Sequence, residues 1–309
     1  MNQSETIVKT GKITKTYGKF RAVSDLSMEV KRGDIYALVG QNGAGKTTLL
    51  KMLAGLSPIT SGELEIFSQT SERGLEWARA HTGSMIETPA FFPYLSARGN
   101  LEYYCIQRGI KDAGRIEETL NFVGLSGVGN KKFKNFSLGM KQRLGLALAV
   151  IGKPQVLFLD EPINGLDPMG IAEFRELILK LNREREVTVV ISSHILGELS
   201  QIATIYGFIN KGELVEHISS ADLKEKCRSC LKLDVDDVAK AVSVLKSTLS
   251  CKKMEIAGEN SLLVDEMLDT PEILVKALVE NGVMVSQAYR SGITLEKYFI
   301  DLIGGKQDA

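Results

Sequence analysis

The segment Gly40-Gln41-Asn42-Gly43-Ala44-Gly45-Lys46-Thr47 has the form G-x-x-x-x-G-K-[ST], and Thr48 follows it. Such a loop suits one kind of chemistry. Glycines let successive backbone N–H groups curl around phosphate oxygens without a Cβ clash. A helix starting at Lys46 adds about half a positive charge at its N-terminus. Lys46 then reaches β- and γ-phosphates, and the Thr47 hydroxyl ligates Mg²⁺. Gly40, Asn42, Gly43, Gly45, Lys46, Thr47 and Thr48 are thus candidate phosphate-binding residues, and Thr47 is also a candidate metal ligand. The competing reading is a Gly-rich structural turn beside a surface lysine.

Val156-Leu157-Phe158-Leu159-Asp160-Glu161 is an apolar strand ending in two carboxylates. In a parallel sheet, an acid at a strand's C-terminal end sits beside the phosphate loop. Asp160 is placed to hold Mg²⁺, directly or through water. Glu161 is placed to act as general base on an attacking water. His194 follows another apolar run, Val187–Ile191, after Ser192 and Ser193. There it could donate to a γ-phosphate or hold the water, or serve the fold alone. Ser137 reads as the start of a helix over Leu138–Ile151, which would aim free N–H groups and a dipole at an anion. An N-capped core helix is the plainer alternative.

Positioning these residues takes a particular set of elements. Residues 34–39 form a short apolar run opening onto the glycine loop, and a helix pattern runs from Lys46 to Leu56. Continuous apolar strands are what a parallel sheet covered on both faces requires, so the first part of the chain is expected to be doubly wound α/β. After about Ser219 the pattern changes. Leu231–Val235, Val238–Leu249, Lys253–Ala257, Ser261–Asp265, Pro271–Glu280 and a strand near Val283–Tyr289 follow the order β-α-β-β-α-β of a ferredoxin-like unit. A last helix runs from about Thr294 to Ile303.

Length and composition bound the rest. At 309 residues roughly two domains are expected. Lys plus Arg equals Asp plus Glu at 38 each, so there is no basic excess, and nucleic acid is not an expected partner. Four cysteines are too few for a disulfide scaffold at this size. Cys227-Arg228-Ser229-Cys230 has metal or redox spacing, but no second such pair or histidine cluster accompanies it. Residues 1–20 lack the apolar core of a secretory signal. The longest apolar stretch, Leu144–Ile151, is far short of the roughly 20 residues a membrane helix needs. The expected location is the cytoplasm, with any membrane spans supplied by another polypeptide.

Together these pieces resemble the nucleotide-binding subunit of an ATP-binding cassette (ABC) transporter, over Ile7 to about Glu216. Ser137-Leu138-Gly139-Met140-Lys141-Gln142 is similar to the family's signature segment, usually Leu-Ser-Gly-Gly-Gln, with Leu138 replacing the first glycine. The resemblance implies that Ser137 and Gly139 cap the ATP held on another subunit. Asn164-Gly165-Leu166-Asp167-Pro168 resembles the loop after the catalytic glutamate, with Asp167 facing the partner. His194 takes the switch-histidine position. Tyr17 resembles the aromatic that stacks on adenine; a core tyrosine is the alternative. Glu87 occupies the coupling loop, where the family usually has glutamine. A carboxylate there accepts hydrogen bonds only and can still coordinate Mg²⁺, making Glu87 a third candidate metal ligand. Ile86-Glu87-Thr88-Pro89, then Phe91, Phe92 and Tyr94, resembles the subgroup that exports bacitracin or lantibiotic peptides. Those aromatics read either as a contact patch for a membrane partner or as core. Leu295-Glu296-Lys297-Tyr298-Phe299 is similar to that group's terminal segment.

The resemblance implies a fold and a function. The fold is an α/β P-loop ATP-binding cassette with a parallel-sheet core, an antiparallel β subdomain and a helical signature subdomain. A C-terminal α+β, ferredoxin-like extension completes it. The domains are 1–219, the ATP-binding domain, and 220–309, an accessory domain. The function is an ATPase using ATP and Mg²⁺, with Lys46, Glu161 and His194 as catalytic residues. It dimerises on ATP and drives a separately encoded integral-membrane permease, peripherally on the cytoplasmic face of the membrane. The rivals are a soluble ABC-type scaffold and a P-loop kinase.

Overall fold

The all-apolar runs of the sequence are neighbouring strands of one sheet. A computed structural model describes residues 5–87, 91–112 and 114–304. The chain divides between Ser220 and Ala221 into two units. The first contains β1 (Thr6–Tyr17), β2 (Phe20–Lys31), β3 (Ile35–Val39), α1 (Lys46–Leu53), β4 (Ser61–Ile66), α2 (Glu72–Ala80), β5 (Thr82–Met85), α3 (Ala97–Gln107), α4 (Arg115–Phe122), α5 (Leu138–Val150), β6 (Val156–Leu159), α6 (Pro168–Arg185), β7 (Thr188–Ser193), α7 (Leu196–Leu199), β8 (Ile205–Asn210) and β9 (Glu213–Ser219).

Two sheets form. The larger has the order β5-β6-β7-β3-β8-β9, parallel through β8, with β9 antiparallel at the edge. Every residue of β3, β6 and β7 is buried, because helices and a second sheet cover both faces. The smaller sheet, β2-β1-β4, is antiparallel. One apolar cluster joins Ile13, Leu26 and Ile66 of the small sheet to Leu38, Phe158 and Val190 of the large one, through Leu49, Leu50 and Leu53 of α1. Each fully buried Leu contributes about 1.5–3 kcal/mol. The helix that follows the glycine loop is therefore anchored along its length. It stops at Leu53, earlier than its apolar pattern suggests, because Gly55 turns to φ +76°. β7 begins at Thr188 and runs on to Ser193, since Ser192 and Ser193 pair with Leu38 and Val39 of β3.

The second unit is built from α8 (Ser220–Lys226), which begins at the division, then β10 (Cys230–Val235), α9 (Val238–Leu249), β11 (Met254–Ile256), β12 (Ser261–Val264), α10 (Pro271–Glu280), β13 (Val285–Ser291) and α11 (Leu295–Gly304). Its sheet order is β11-β12-β10-β13, all neighbours antiparallel, as in a ferredoxin-like unit. Leu231, Leu233, Leu262 and Val264 face Ala241, Leu245, Leu274 and Leu278 of α9 and α10 in a core of their own. Cys227 and Cys230 are not joined in a disulfide.

Candidate nucleotide site

β6, β7 and β3 are consecutive and parallel, so their C-terminal ends open on one side of the sheet. The glycine loop leaves β3, Asp160 and Glu161 leave β6, and His194 leaves β7. Ligands of open α/β sheets bind beyond the carboxyl ends of such strands. Gly43 and Gly45 adopt φ of +81° and +107°. At Gly45 a Cβ would also lie 2.6 Å from the Ala22 carbonyl oxygen, so only glycine fits there. At Gly43 the equivalent space is open, leaving room for an anion against the backbone. Asn42 is exposed on the same loop, while Thr47 and Thr48 are half-buried in the first turn of α1.

Lys46 is only 5% exposed. Its ammonium donates to the carbonyl oxygens of Gly40 (2.7 Å) and Gln41 (3.2 Å), and stands 3.2 Å from Glu161 Oε1. A lysine this deep needs such partners. Glu161 Oε1 is itself buried without an aligned hydrogen bond, so the ammonium is its compensating charge. The Thr47 hydroxyl donates to Asp160 Oδ2 at 2.8 Å. Ser192 Oγ donates to Asp160 Oδ1 at 2.7 Å and accepts the Glu161 N–H at 2.9 Å. His194 Nδ1 lies 2.7 Å from Glu161 Oε2. An ionised carboxylate only accepts, so that contact places the hydrogen on Nδ1.

Glu161 sits at φ +46°. The left-handed region costs a non-glycine residue about 1–2 kcal/mol. Strain of this kind persists where surrounding contacts over-determine it; here Lys46, Ser192 and His194 do so. The oxygen donors of Thr47 and Asp160 suit Mg²⁺, which takes one or two protein carboxylates and fills its remaining positions from phosphate and water. Among the described residues no group of three or more His, Cys, Asp or Glu side chains could hold a metal.

The other candidates fall elsewhere. Ser137 caps α5, its Oγ accepting the Met140 N–H at 3.3 Å. Asp167 caps α6, accepting the Gly170 N–H at 2.7 Å. With Gly139 they line a cavity of about 570 Å³. Among the described residues no hydrogen bond or ion pair joins this group to the Lys46–His194 cluster. Tyr17 is half-exposed at the end of β1, its hydroxyl 3.3 Å from Ser57 Oγ, which excludes a core role. Phe91 turns inward against Tyr104 and Phe133, whereas Phe92 and Tyr94 are exposed. Thr88 and Pro89 lie outside the described residues.

Among the described residues no hydrogen bond joins Glu87 to Thr47 or Asp160; its Oε1 accepts from Lys51 Nζ at 2.5 Å. That bond holds the Lys51 ammonium above the usual lysine range. Two participants, Ser192 and Lys51, escape the sequence reading. Ser192 stands two residues before His194 as a polar residue closing an apolar run. Lys51 lies four residues beyond Thr47, which places both on one helix face.

Strand ends, glycine loop and acid pair define a P-loop nucleoside-triphosphate-binding protein. Residues 23–164 match the ABC transporter family. The chain is 42% identical over 300 residues to the bacitracin transport ATP-binding protein BcrA of Bacillus licheniformis, covering 97% of this chain and 98% of the relative. It is 42% identical over 225 residues to the lantibiotic transport ATP-binding protein SrtF of Streptococcus pyogenes, covering 71% of this chain and 95% of that one. An ATP-binding cassette solved as a dimer in a post-hydrolysis state, bound to ADP and Pi, matches with a TM-score of 0.63 at 26% identity, covering 69% of this chain and 99% of that one. The chain belongs to the ATP-binding subunits of ABC transporters. It binds ATP and hydrolyses it.

Proposed function

We propose that two copies of this chain close on two Mg·ATP and thereby drive a separately encoded membrane permease that exports an antimicrobial peptide. Lys46, Thr47, Asp160, Glu161 and His194 of one copy form each site with Ser137, Gly139 and Asp167 of the other. The observation that carries this reading is the separation of the two groups within one chain. The first is tied together by the contacts of Lys46, Ser192 and His194 with the two acids, and the second includes the N-terminus of a 13-residue helix that can face an anion. Tyr17, exposed at the end of β1, is available to the adenine.

Phosphoryl transfer to water needs positioning and charge stabilisation more than covalent help. Lys46 and the loop amides take the charge of the β- and γ-phosphates. Glu161 accepts a proton from water, and His194, bonded to its Oε2, keeps the carboxylate aimed. Thr47 and Asp160 would hold Mg²⁺, which would supply charge neutralisation to the phosphates when bound.

The bacitracin-transport relative matches along both units, whereas the match with the lantibiotic-transport relative covers 71% of this chain. That favours a bacitracin-like substrate class and weighs against a soluble scaffold. Among the described residues no helix is long and apolar enough to cross a membrane. Exposed Phe92 and Tyr94 offer a permease a contact on the cytoplasmic face. Glu161→Gln keeps nucleotide binding and stops turnover, so it should dimerise on ATP in light scattering. A persistent monomer refutes the composite site.

A further inference from the structure

Lys51 is a charged side chain that the hydrolysis chemistry leaves unused. It projects from α1 one turn beyond Thr47, on the same helix face. Thr47 meets Asp160 there, and the Asp160 N–H donates to the Met85 carbonyl at 2.8 Å, tying the end of β5 to this point. Two residues on, Glu87 takes φ +59° and closes a 2.5 Å ion pair with Lys51. Asp160 and Glu161 thus stand at the helix start that receives a polyphosphate, and Glu87 stands one turn further along α1, at Lys51. Lys46 answers Glu161, and Lys51 answers Glu87.

We infer that Lys51 is a positioning residue: it fixes Glu87 in its left-handed backbone position and cancels its charge, so that the segment after β5 does not repel the nucleotide. The inference rests on the nucleotide reading of the glycine loop. Its physical content is a coupling between two side chains, which a double-mutant cycle isolates. Lys51 is 30% exposed and Glu87 63%, so the coupling belongs to the modest, salt-sensitive class of ion pairs.

Binding of a fluorescent ATP analogue to the full chain, measured in EDTA so that neither metal nor turnover contributes, provides the readout. Lys51→Met keeps the aliphatic stem, removes the charge, and should weaken binding on the order of fivefold. Adding Glu87→Gln to it should restore affinity to within about twofold of Glu87→Gln alone. Lys51→Arg should bind as the unaltered chain does, and raised salt should shrink the Lys51→Met deficit. Unchanged affinity in Lys51→Met overturns the inference. So does a double variant as weak as Lys51→Met, which would mean that Lys51 touches phosphate itself. An unaltered chain that fails to bind the analogue refutes the nucleotide reading instead, while recovery in the double variant, which carries the same Lys51→Met change, shows that the loss is not misfolding.

Discussion

Ser192 shows how much of this site rests on a residue without chemistry of its own. Its hydroxyl donates to Asp160 and accepts from the N–H of Glu161, the strained residue at φ +46°. Ser192→Ala leaves that N–H without a partner, at a cost of about 1–3 kcal/mol. In a unit of this size each kcal/mol lowers the melting temperature by roughly 2–4 °C. The variant should melt several degrees lower and lose kcat more than KM for ATP, because Glu161 is freed to relax. A lowered melting temperature with kcat intact would make Ser192 a purely structural residue. Lys46, Thr47, Asp160, Glu161 and His194 were legible in the sequence because each is fixed by its distance from a strand end. Ser192 and Lys51 were not, since their partners stand 32 and 36 residues away and only the sheet brings them together.

The elements divide the same way. β3 and β6 stand out as short apolar runs because both their faces are covered. β1 and β2 are each 12 residues long, yet bulges at several points and positive φ at Lys12 and Asp25 break the alternation that would reveal them. The β-α-β-β-α-β order of the second unit was readable because Pro271 and the turn at residues 258–260 punctuate it, and its strand order agrees with that reading. α5 supplies the test at this scale, for its N-terminus has both a structural and a functional duty. Ser137→Ala removes the cap and should cost about 1 kcal/mol. Ser137→Asp restores a capping oxygen but sets a negative charge where the helix end is to meet an anion. Placed in a Glu161→Gln background, Ser137→Asp should melt like its parent yet fail to form ATP-dependent dimers. If it dimerises normally, this helix end does not cap nucleotide.

For the whole molecule, the question is how events at the phosphates reach a second polypeptide. The chain between Met85 and Tyr94 makes the connection in sequence. Met85 accepts the Asp160 N–H, Glu87 is held by Lys51 of α1, Phe91 is buried against Tyr104 and Phe133, and Phe92 and Tyr94 emerge on the surface. Phe92 meets half-exposed Tyr103 edge-on, and Ile106 one turn along α3 is largely exposed, so this face presents several apolar side chains together. A substitution at Glu87 acts between the two ends of that path. Glu87→Ala removes an exposed carboxylate, so the fold should change by under about 0.5 kcal/mol. Nucleotide binding should persist, because Lys46 and the glycine loop are untouched. What is lost is the fixed link between α1 and the segment that carries the aromatics. Peptide export, or resistance in cells expressing the permease, should therefore fall more than the ATPase rate of the isolated subunit. Measured side by side, equal losses of both would place Glu87 in hydrolysis alone, and unchanged export would show that this position does not couple the two polypeptides.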